Sequence, residues 1–199
     1  MKKSYFVQLL LICVFFVFTF TYNCRVFGQK EFVPDTTVNS ILLLRNVSSF
    51  ALFCSNSDSI IIIDKKIVFF DFDQPFVLFL NVSQTKYLAA IIHEGTWKNY
   101  FSEFEIGEIS DSTLQEIDIP YIVTKHQDFQ TENNIHINMP MKSLEHLKGK
   151  DYVLVGNKIK YCYNSLDSEF LEFGGCEYYL ECELVNDKIV KFRFGYTPL

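Results

Sequence analysis

Two segments of the chain, residues 86–107 and 177–196, have the same layout. Each begins with a Tyr-led apolar stretch, continues through a polar turn and ends in a Phe-rich stretch that closes on Gly. Such runs on both sides of a polar turn predict a β-hairpin. The matched positions are Tyr87 with Tyr178, Phe104 with Phe192, and Gly107 with Gly195. The 21 Phe and 11 Tyr of the chain supply apolar surface for a β-rich core.

A helix and two strands are predicted upstream of the second hairpin. Asn138 is a candidate helix cap, Pro140 suits the first turn, and Gly149 ends the helix. Apolar residues at helical spacing support it, namely Met141, Leu144 and Leu147. Strands at 152–155 and 158–164 follow, joined by the turn Gly156-Asn157.

The first hairpin is preceded by a similar order of elements. A helix-like stripe is formed by Leu43, Val47, Phe50 and Ala51. Strands at 59–63 and 67–73 follow, joined by a turn at 64–66. In the second of these, Phe70 and Phe72 alternate with Asp71 and Asp73, which predicts Phe inward and Asp outward.

These patterns predict an α+β, β-rich, two-layer sandwich of two tandem helix-plus-antiparallel-hairpin units. The first unit spans 29–110 and the second 135–199. Residues 111–134 are predicted to be a linker with one short strand at 119–123 and an exposed turn at 131–134. Because each unit is small for an independent core, the two are expected to pack on each other.

The N-terminus has the layout of a signal peptide. Lys2 and Lys3 precede a long apolar run, and cleavage is predicted just before Gln29. Two alternatives remain open, an uncleaved membrane anchor at 5–22 and a lipid anchor on Cys24. The sequence therefore predicts an exported protein, periplasmic or secreted, or an outer-membrane lipoprotein if Cys24 is lipidated. Only lipidation or an uncleaved anchor would tie it to a membrane.

The charge of the chain limits its partners. The formal net charge is −6, and removal of 1–28 makes it more negative, since that segment contains basic residues and no acidic one. Such a chain has no electrostatic footprint for nucleic acid or for anionic lipid. Another protein is the expected partner.

Four cysteines lie beyond residue 28, and export allows disulfides among them. Cys176 and Cys182 are too far apart along one strand to bond each other. Cys162 lies on the preceding strand and can face Cys176, so these two are the disulfide candidates. Cys54 is interpreted as a small buried hydrophobe.

Catalytic motifs are absent from the sequence. It contains no nucleophile elbow, phosphate loop or dinucleotide fingerprint. His93 and Glu94 share a hairpin turn, where neighbours point apart, and Asp71 and Asp73 lack an evident third metal ligand. We therefore predict a non-catalytic protein without cofactor or metal, and a hydrolase using these residues is the least favoured hypothesis.

Aromatic residues are the candidate binding positions. Trp97, the single Trp, lies with Tyr100 in a polar turn of the first hairpin. It either packs over its own hairpin or is exposed as a binding anchor. Trp97, Tyr100 and Tyr196 are the predicted binding residues.

The segment 137–153, with the closing strand "VNDKIVKFRF" at 185–194, resembles the repeat of the BamE/SmpA outer-membrane assembly lipoproteins. Gly149-Lys150-Asp151 falls near that family's "GkPd" site, but the Pro is absent. A tandem pair of such units also resembles the secreted β-lactamase-inhibitor protein, and the chain has the general look of uncharacterised exported proteins of Gram-negative bacteria. The first two resemblances imply a non-catalytic α+β protein that binds another protein, as a scaffold of the envelope or as an inhibitor or immunity-type protein.

Overall fold

The computed structural model describes residues 32–43, 62–92, 101–164, 175 and 177–197. Its elements in chain order are β1 (Thr37–Val38), β2 (Ile41–Leu42), β3 (Phe76–Leu80), β4 (Lys86–Ile91), β5 (Glu103–Glu108), α1 (Asp111–Ile117), β6 (Ile122–Val123), α2 (Met141–Lys148), β7 (Val153–Val155), β8 (Lys158–Tyr163), β9 (Tyr178–Val185) and β10 (Lys188–Tyr196). Eight strands form one sheet in the order β6-β3-β4-β5-β10-β9-β8-β7, and β1 and β2 pair separately. Within the described residues, neither helix is long and apolar enough to cross a membrane.

The predicted fold class, two tandem helix-plus-hairpin units, is wrong. The described chain is mostly β, and a single sheet runs through both hairpins. The joint is an antiparallel pairing of β5 with β10, in which Phe104 lies opposite Phe194 and Ile106 opposite Phe192. Because the last strands of the two hairpins hydrogen-bond to each other, neither hairpin is a separate layer with its own helix.

The first predicted unit departs most from the structure. Leu43 is buried just after β2 rather than starting a helix, and the rest of that stripe lies outside the described residues. Residues 67–73 form turns and bends without a strand. Phe70 and Phe72 are nevertheless buried while Asp71 and Asp73 are exposed, as the alternation predicted. Alternation reports which side chains face the core, but only a partner strand makes a segment part of a sheet.

The second predicted unit is closer to the structure. Helix α2 starts after Pro140, and Gly149 follows its last residue with a φ of 85°. Asn138 does not cap it, because Pro140 is the N-cap residue and the helix has no side-chain cap. The Asn138 side chain donates to Glu108 Oε1. The strands joined by Gly156-Asn157 and the final hairpin are confirmed as β7–β8 and β9–β10. Asn186 and Asp187 form the turn of that hairpin, both with positive φ, as two-residue hairpin loops require.

The segment predicted as a linker contributes to the fold. Its expected short strand is present as β6, which pairs in parallel with β3. Helix α1 was not predicted, and Ser110 caps it by accepting a hydrogen bond from the Thr113 amide. The turn at Glu132-Asn133 is present as expected.

The two faces of the sheet are covered unequally. One face packs along most of its width against the N-terminal segment 32–43, the segment 129–139 and α2. On the other face, the described residues form an apolar cluster over β3 and β4 alone, where Ile63, Ile67, Phe70 and Phe72 cover it. Its other half, over β5, β10, β9 and β8, carries charged side chains.

A buried ion pair ties the N-terminal segment to α2. Asp35 Oδ2 lies 2.5 Å from Lys148 Nζ, and the two side chains are 0% and 2% exposed. Asn133 Nδ2 donates to Asp35 Oδ1, and the Asp35 amide donates to the Tyr178 hydroxyl oxygen. Lys148 Nζ also donates to the Val33 carbonyl oxygen. Both charges are thus compensated inside the core, which is the condition for tolerating them there.

Replacing one member of this pair will leave an uncompensated buried charge. We expect Lys148→Met to lower the free energy of unfolding by about 3–5 kcal/mol, measured by urea denaturation. The double variant Asp35→Leu with Lys148→Met should recover part of this loss, because neither charge then remains. The control is Lys150→Met, which should change stability by under about 1 kcal/mol. The Lys150 side chain is 76% exposed, and its Nζ lies 3.8 Å from Glu145 Oε2. A similar small loss for Lys148→Met would contradict this role.

A glycine allows the close approach of β10 to β5. A Cβ at Gly195 would collide with the Ser102 carbonyl oxygen and lie 2.7 Å from Glu103 Cα. We expect Gly195→Ala to cost about 2 kcal/mol or more, because backbone atoms must move. Gly156→Ala is the matched control, since both glycines have a positive φ but a Cβ at Gly156 would have nothing within 4 Å. Equal losses in the two variants, measured by denaturation, would show that the approach is not tight.

Candidate functional site

Four adjacent strands each carry two like-charged residues on the half of the sheet face where the described residues form no apolar cluster. In each strand the two are separated by one buried residue, so both point to the same side. We call this set the charged face, and its members are Glu103 and Glu105 on β5, Lys191 and Arg193 on β10, Glu181 and Glu183 on β9, and Lys158 and Lys160 on β8.

The register of the sheet places opposite signs side by side. Arg193 lies opposite Glu105 on one side and Glu181 on the other. Glu181 in turn lies opposite Lys160, and Glu183 opposite Lys158. Directly opposite residues are near neighbours on one face, so the charged face consists of acidic and basic stripes in alternation.

Contacts within the charged face join it to the segment 62–73. Lys191 Nζ donates to Asp71 Oδ2 at 2.6 Å, and this bond holds the pKa of Asp71 below its ordinary value. Arg193 donates to Glu103 Oε2 through Nε at 2.8 Å and also through Nη2. Its guanidinium lies over the Phe72 ring, 5.3 Å from the centroid. Asp71 and Phe72 therefore contact the two basic residues that β10 contributes to the charged face.

A small cavity opens in the charged face above Glu105. It has a volume of about 160 Å³. Its lining residues, which define the Glu105 cavity, are Asp71, Glu105, Lys158, Glu181, Glu183, Lys191, Phe192 and Arg193. The cavity is rich in charge of both signs, and it differs in this from the apolar pockets that usually bind small molecules.

Glu105 is the most buried carboxylate of this cavity. The residue is 2% exposed, and the Tyr87 hydroxyl donates to its Oε1 at 2.8 Å. Burial raises the pKa of Glu105, although the bond from Tyr87 and the charges of Lys191 and Arg193 act against it. Ionised Glu105 is therefore a costly group in the free protein, since its charge is only partly compensated.

The basic stripe of β8 is more accessible. Lys160 is exposed, and its Nζ lies 5.0 Å from the centroid of the Tyr179 ring. Lys158 Nζ is 3.5 Å from Glu181 Oε1, with both side chains substantially exposed. Pairs of this kind contribute little to stability, so changing these charges should alter the stability of the protein only slightly.

Among the described residues there is no group of three or more His, Cys, Asp or Glu side chains that could hold a metal ion. Cys182 is a free thiol in the core, and burial raises its pKa. His136 Nδ1 contacts the Ile137 carbonyl oxygen. We derive no reaction from these groups, and the prediction that the protein is not an enzyme stays a prediction.

The aromatic binding residues do not meet at this site. Trp97 and Tyr100 lie outside the described residues, as do His93 and Glu94. Tyr196 lies on the other face of the sheet, where its ring centroid is 5.3 Å from that of Tyr178. Their role in binding stays a prediction.

The structure describes only some of the cysteines for which predictions were made. Cys162 is disulfide-bonded. Its predicted partner Cys176 lies outside the described residues, as does Cys54. The pairing of Cys162 with Cys176 therefore stays a prediction.

The charged face was not recognised from the sequence, although a signal for it is present. Like charges two residues apart occur in "EFE", "KIK", "ECE" and "KFR". Each triplet alone is an ordinary solvated strand face. Their meaning depends on strand order, because the order β5-β10-β9-β8 places each acidic strand beside a basic one.

No family model, curated protein or solved structure matches the chain. The resemblance to BamE/SmpA repeats stays an expectation.

Neutralising Glu105 should stabilise the protein in a pH-dependent way. Because the pKa of Glu105 is higher in the folded state, its carboxyl group favours folding at a pH below its unfolded-state pKa, which is near 4.5. This contribution to stability is lost as the pH rises through the folded-state pKa. Glu105→Gln keeps an acceptor for Tyr87 without the charge. We expect the free energy of unfolding of the variant to exceed that of wild type by more at pH 7.5 than at pH 4.5, measured by urea denaturation. The exposed control Glu116→Gln should show no such trend, and an equal pH dependence in both variants would contradict the burial cost.

Proposed function

We propose that the protein is an exported, non-catalytic binding protein and that the charged face is its contact surface for a protein partner. The observation that carries the proposal is the alternation of acidic and basic stripes across four strands, on the half of the sheet face where the described residues place no apolar cluster. A surface of this kind matches a partner in charge pattern as well as in shape, which favours specificity and fast association.

Other ligand classes fit the charged face less well. Its basic stripes are interleaved with acidic ones, and the chain carries a net charge of −6, which disfavours polyanions such as nucleic acid. The Glu105 cavity of about 160 Å³ is smaller than the pockets of about 300–1,000 Å³ that hold most small organic ligands. A protein surface with complementary charges can match both the acidic and the basic stripes, and it does not have to fit inside the cavity.

Two observations support export. The N-terminal sequence has the basic start, apolar run and small residue before Gln29 of a signal peptide. In addition, Cys162 is disulfide-bonded, and structural disulfides persist mainly in oxidising compartments outside the cytosol. We therefore place the mature protein in the cell envelope or in the medium.

A structural role alone is the competing explanation for the stripes. Cross-strand charge pairs contribute about 0.2–1 kcal/mol each to a sheet, and Lys158 with Glu181 is such a pair. If that were their whole role, changing a charge would alter stability and leave contacts with other proteins unaffected. Binding and stability must therefore be measured on the same variants.

Site-specific photo-cross-linking distinguishes the two explanations. The full chain, with p-benzoylphenylalanine in place of Lys160 on the charged face or Lys142 on α2, is expressed in its source organism and irradiated. We expect one dominant cross-linked protein for position 160 and none for position 142. Mass spectrometry identifies it and also reads the N-terminus of the protein itself, which should be Gln29.

Charge reversal provides the control. Glu181→Lys should reduce the yield at position 160 several-fold, because like charges then meet the partner, whereas Lys142→Glu should not. Both variants should melt within a few degrees of wild type. An unspecific ladder of products, or a yield unaffected by Glu181→Lys, would contradict the proposal. The identity of the partner separates an envelope assembly role from inhibition of a secreted enzyme.

A further inference from the structure

We propose that the Glu105 cavity is a socket for one cationic side chain, a guanidinium or ammonium group, of the protein partner. The inference rests on the proposed function and specifies the partner, which must present an Arg or Lys at the centre of its interface. It is carried by the geometry of Glu105 and by the arrangement of the cations around the cavity.

Glu105 is a buried carboxylate with one oxygen left for a ligand. Its Oε1 accepts the hydrogen bond from Tyr87. Its Oε2 accepts none from any described residue, and Glu105 lines the cavity. A buried carboxylate normally has its oxygens satisfied by donors. Glu105 Oε2 is accessible from the cavity, since it is not one of the buried atoms of the described residues that lack a partner. A charged donor group that enters the cavity would replace water at this oxygen.

The cations that line the cavity are held by other carboxylates. Lys191 bonds to Asp71, Arg193 to Glu103, and Lys158 lies closest to Glu181. Glu183 has only a long contact of 3.9 Å between its Oε2 and Lys191 Nζ, and its Oε1 accepts a hydrogen bond from the side-chain Nδ2 of Asn157. The unmet demand of the cavity is therefore for positive charge.

The size of the cavity selects the kind of cation. About 160 Å³ holds a guanidinium or ammonium group with part of its stem, and a larger ligand would not be enclosed. A bare metal ion is disfavoured, because the described residues provide no cluster of three or more metal-ligating side chains. A guanidinium carries five N–H donors, so it can bond to Glu105 Oε2 and at the same time to a second carboxylate of the cavity, which makes Arg the better match.

Binding of a cation should couple to the protonation of Glu105. Burial raises the pKa of this carboxyl group, and a bound cation acts in the opposite direction. The groups that face it are Tyr87 on β4, Asp71 from the covering segment, and Lys191 and Arg193 on β10. Affinity should accordingly increase as the pH rises and Glu105 ionises, and each binding event should release protons at intermediate pH.

The test is a ¹⁵N NMR titration of the full chain after removal of 1–28, with Nα-acetyl-arginine methylamide as the probe. We expect saturable shift changes at the amides of Glu105, Arg193 and Glu181. Nα-acetyl-citrulline methylamide, the neutral isostere, should give none at equal concentration. A parallel titration with Nα-acetyl-lysine methylamide, whose side-chain amine is free, shows whether a guanidinium is required. The proposal is overturned if the arginine probe leaves these amides unchanged up to tens of millimolar, or if citrulline shifts them equally.

Glu105→Gln separates a binding role from a structural one. We expect this variant to fold and to bind the arginine probe at least about tenfold more weakly, as for loss of one partner of a buried charge pair. The exposed control Glu116→Gln should bind as wild type does. Unchanged affinity in Glu105→Gln would overturn the socket.

The socket and the proposed function can fail separately. Arginine binding with no partner cross-linked at position 160 would retain the socket and remove the proposed surface. A partner whose cross-link at position 160 is as strong in Glu105→Gln as in wild type would retain the surface and overturn the socket.

Discussion

The pairing of β5 with β10 is the interaction on which the rest of the structure depends. It joins two hairpins into one sheet, and its register places Arg193 between Glu105 and Glu181. On one face it brings Phe104 beside Phe194, with ring centroids 5.7 Å apart, in the main core. On the other face it places the acidic stripe of β5 beside the basic stripe of β10. One set of backbone hydrogen bonds thus determines both the core and the candidate site.

Different physical terms hold the two faces of the sheet. The inner face is stabilised by apolar burial and by aromatic pairs such as Tyr178 with Tyr196. The buried pair Asp35–Lys148 fixes the N-terminal segment over it. The charged face gains little from its exposed pairs and carries the cost of Glu105. A partner that supplies a positive group would offset that cost, which is why we connect the buried carboxylate of Glu105 with binding.

Local patterns predicted a large part of the local structure and little of the topology. Helix α2, the β7–β8 hairpin and the final hairpin follow from Pro140, Gly149, Gly156-Asn157 and the alternating strands, because turns and caps are set by neighbours in sequence. The order of strands is set by contacts between distant residues, such as Lys191 opposite Gly107. Alternation placed Phe70 and Phe72 inward correctly but suggested a strand where the chain only turns. The charged face required the strand order, so its residues were visible in the sequence and their arrangement was not.

The register between β5 and β10 is the most direct measurement, because a shift by one residue would move the charges to the core side. Tyr196 N donates to the Ser102 carbonyl oxygen, and hydrogen-bonded pairs alternate with non-hydrogen-bonded ones, so Glu105 and Arg193 form a non-hydrogen-bonded pair with adjacent Hα atoms. A nuclear Overhauser spectrum of the labelled chain should show a strong cross-peak between Glu105 Hα and Arg193 Hα. A cross-peak from Arg193 Hα to Phe104 or Ile106 Hα in its place, or none to β5, would contradict the account of both the core and the charged face.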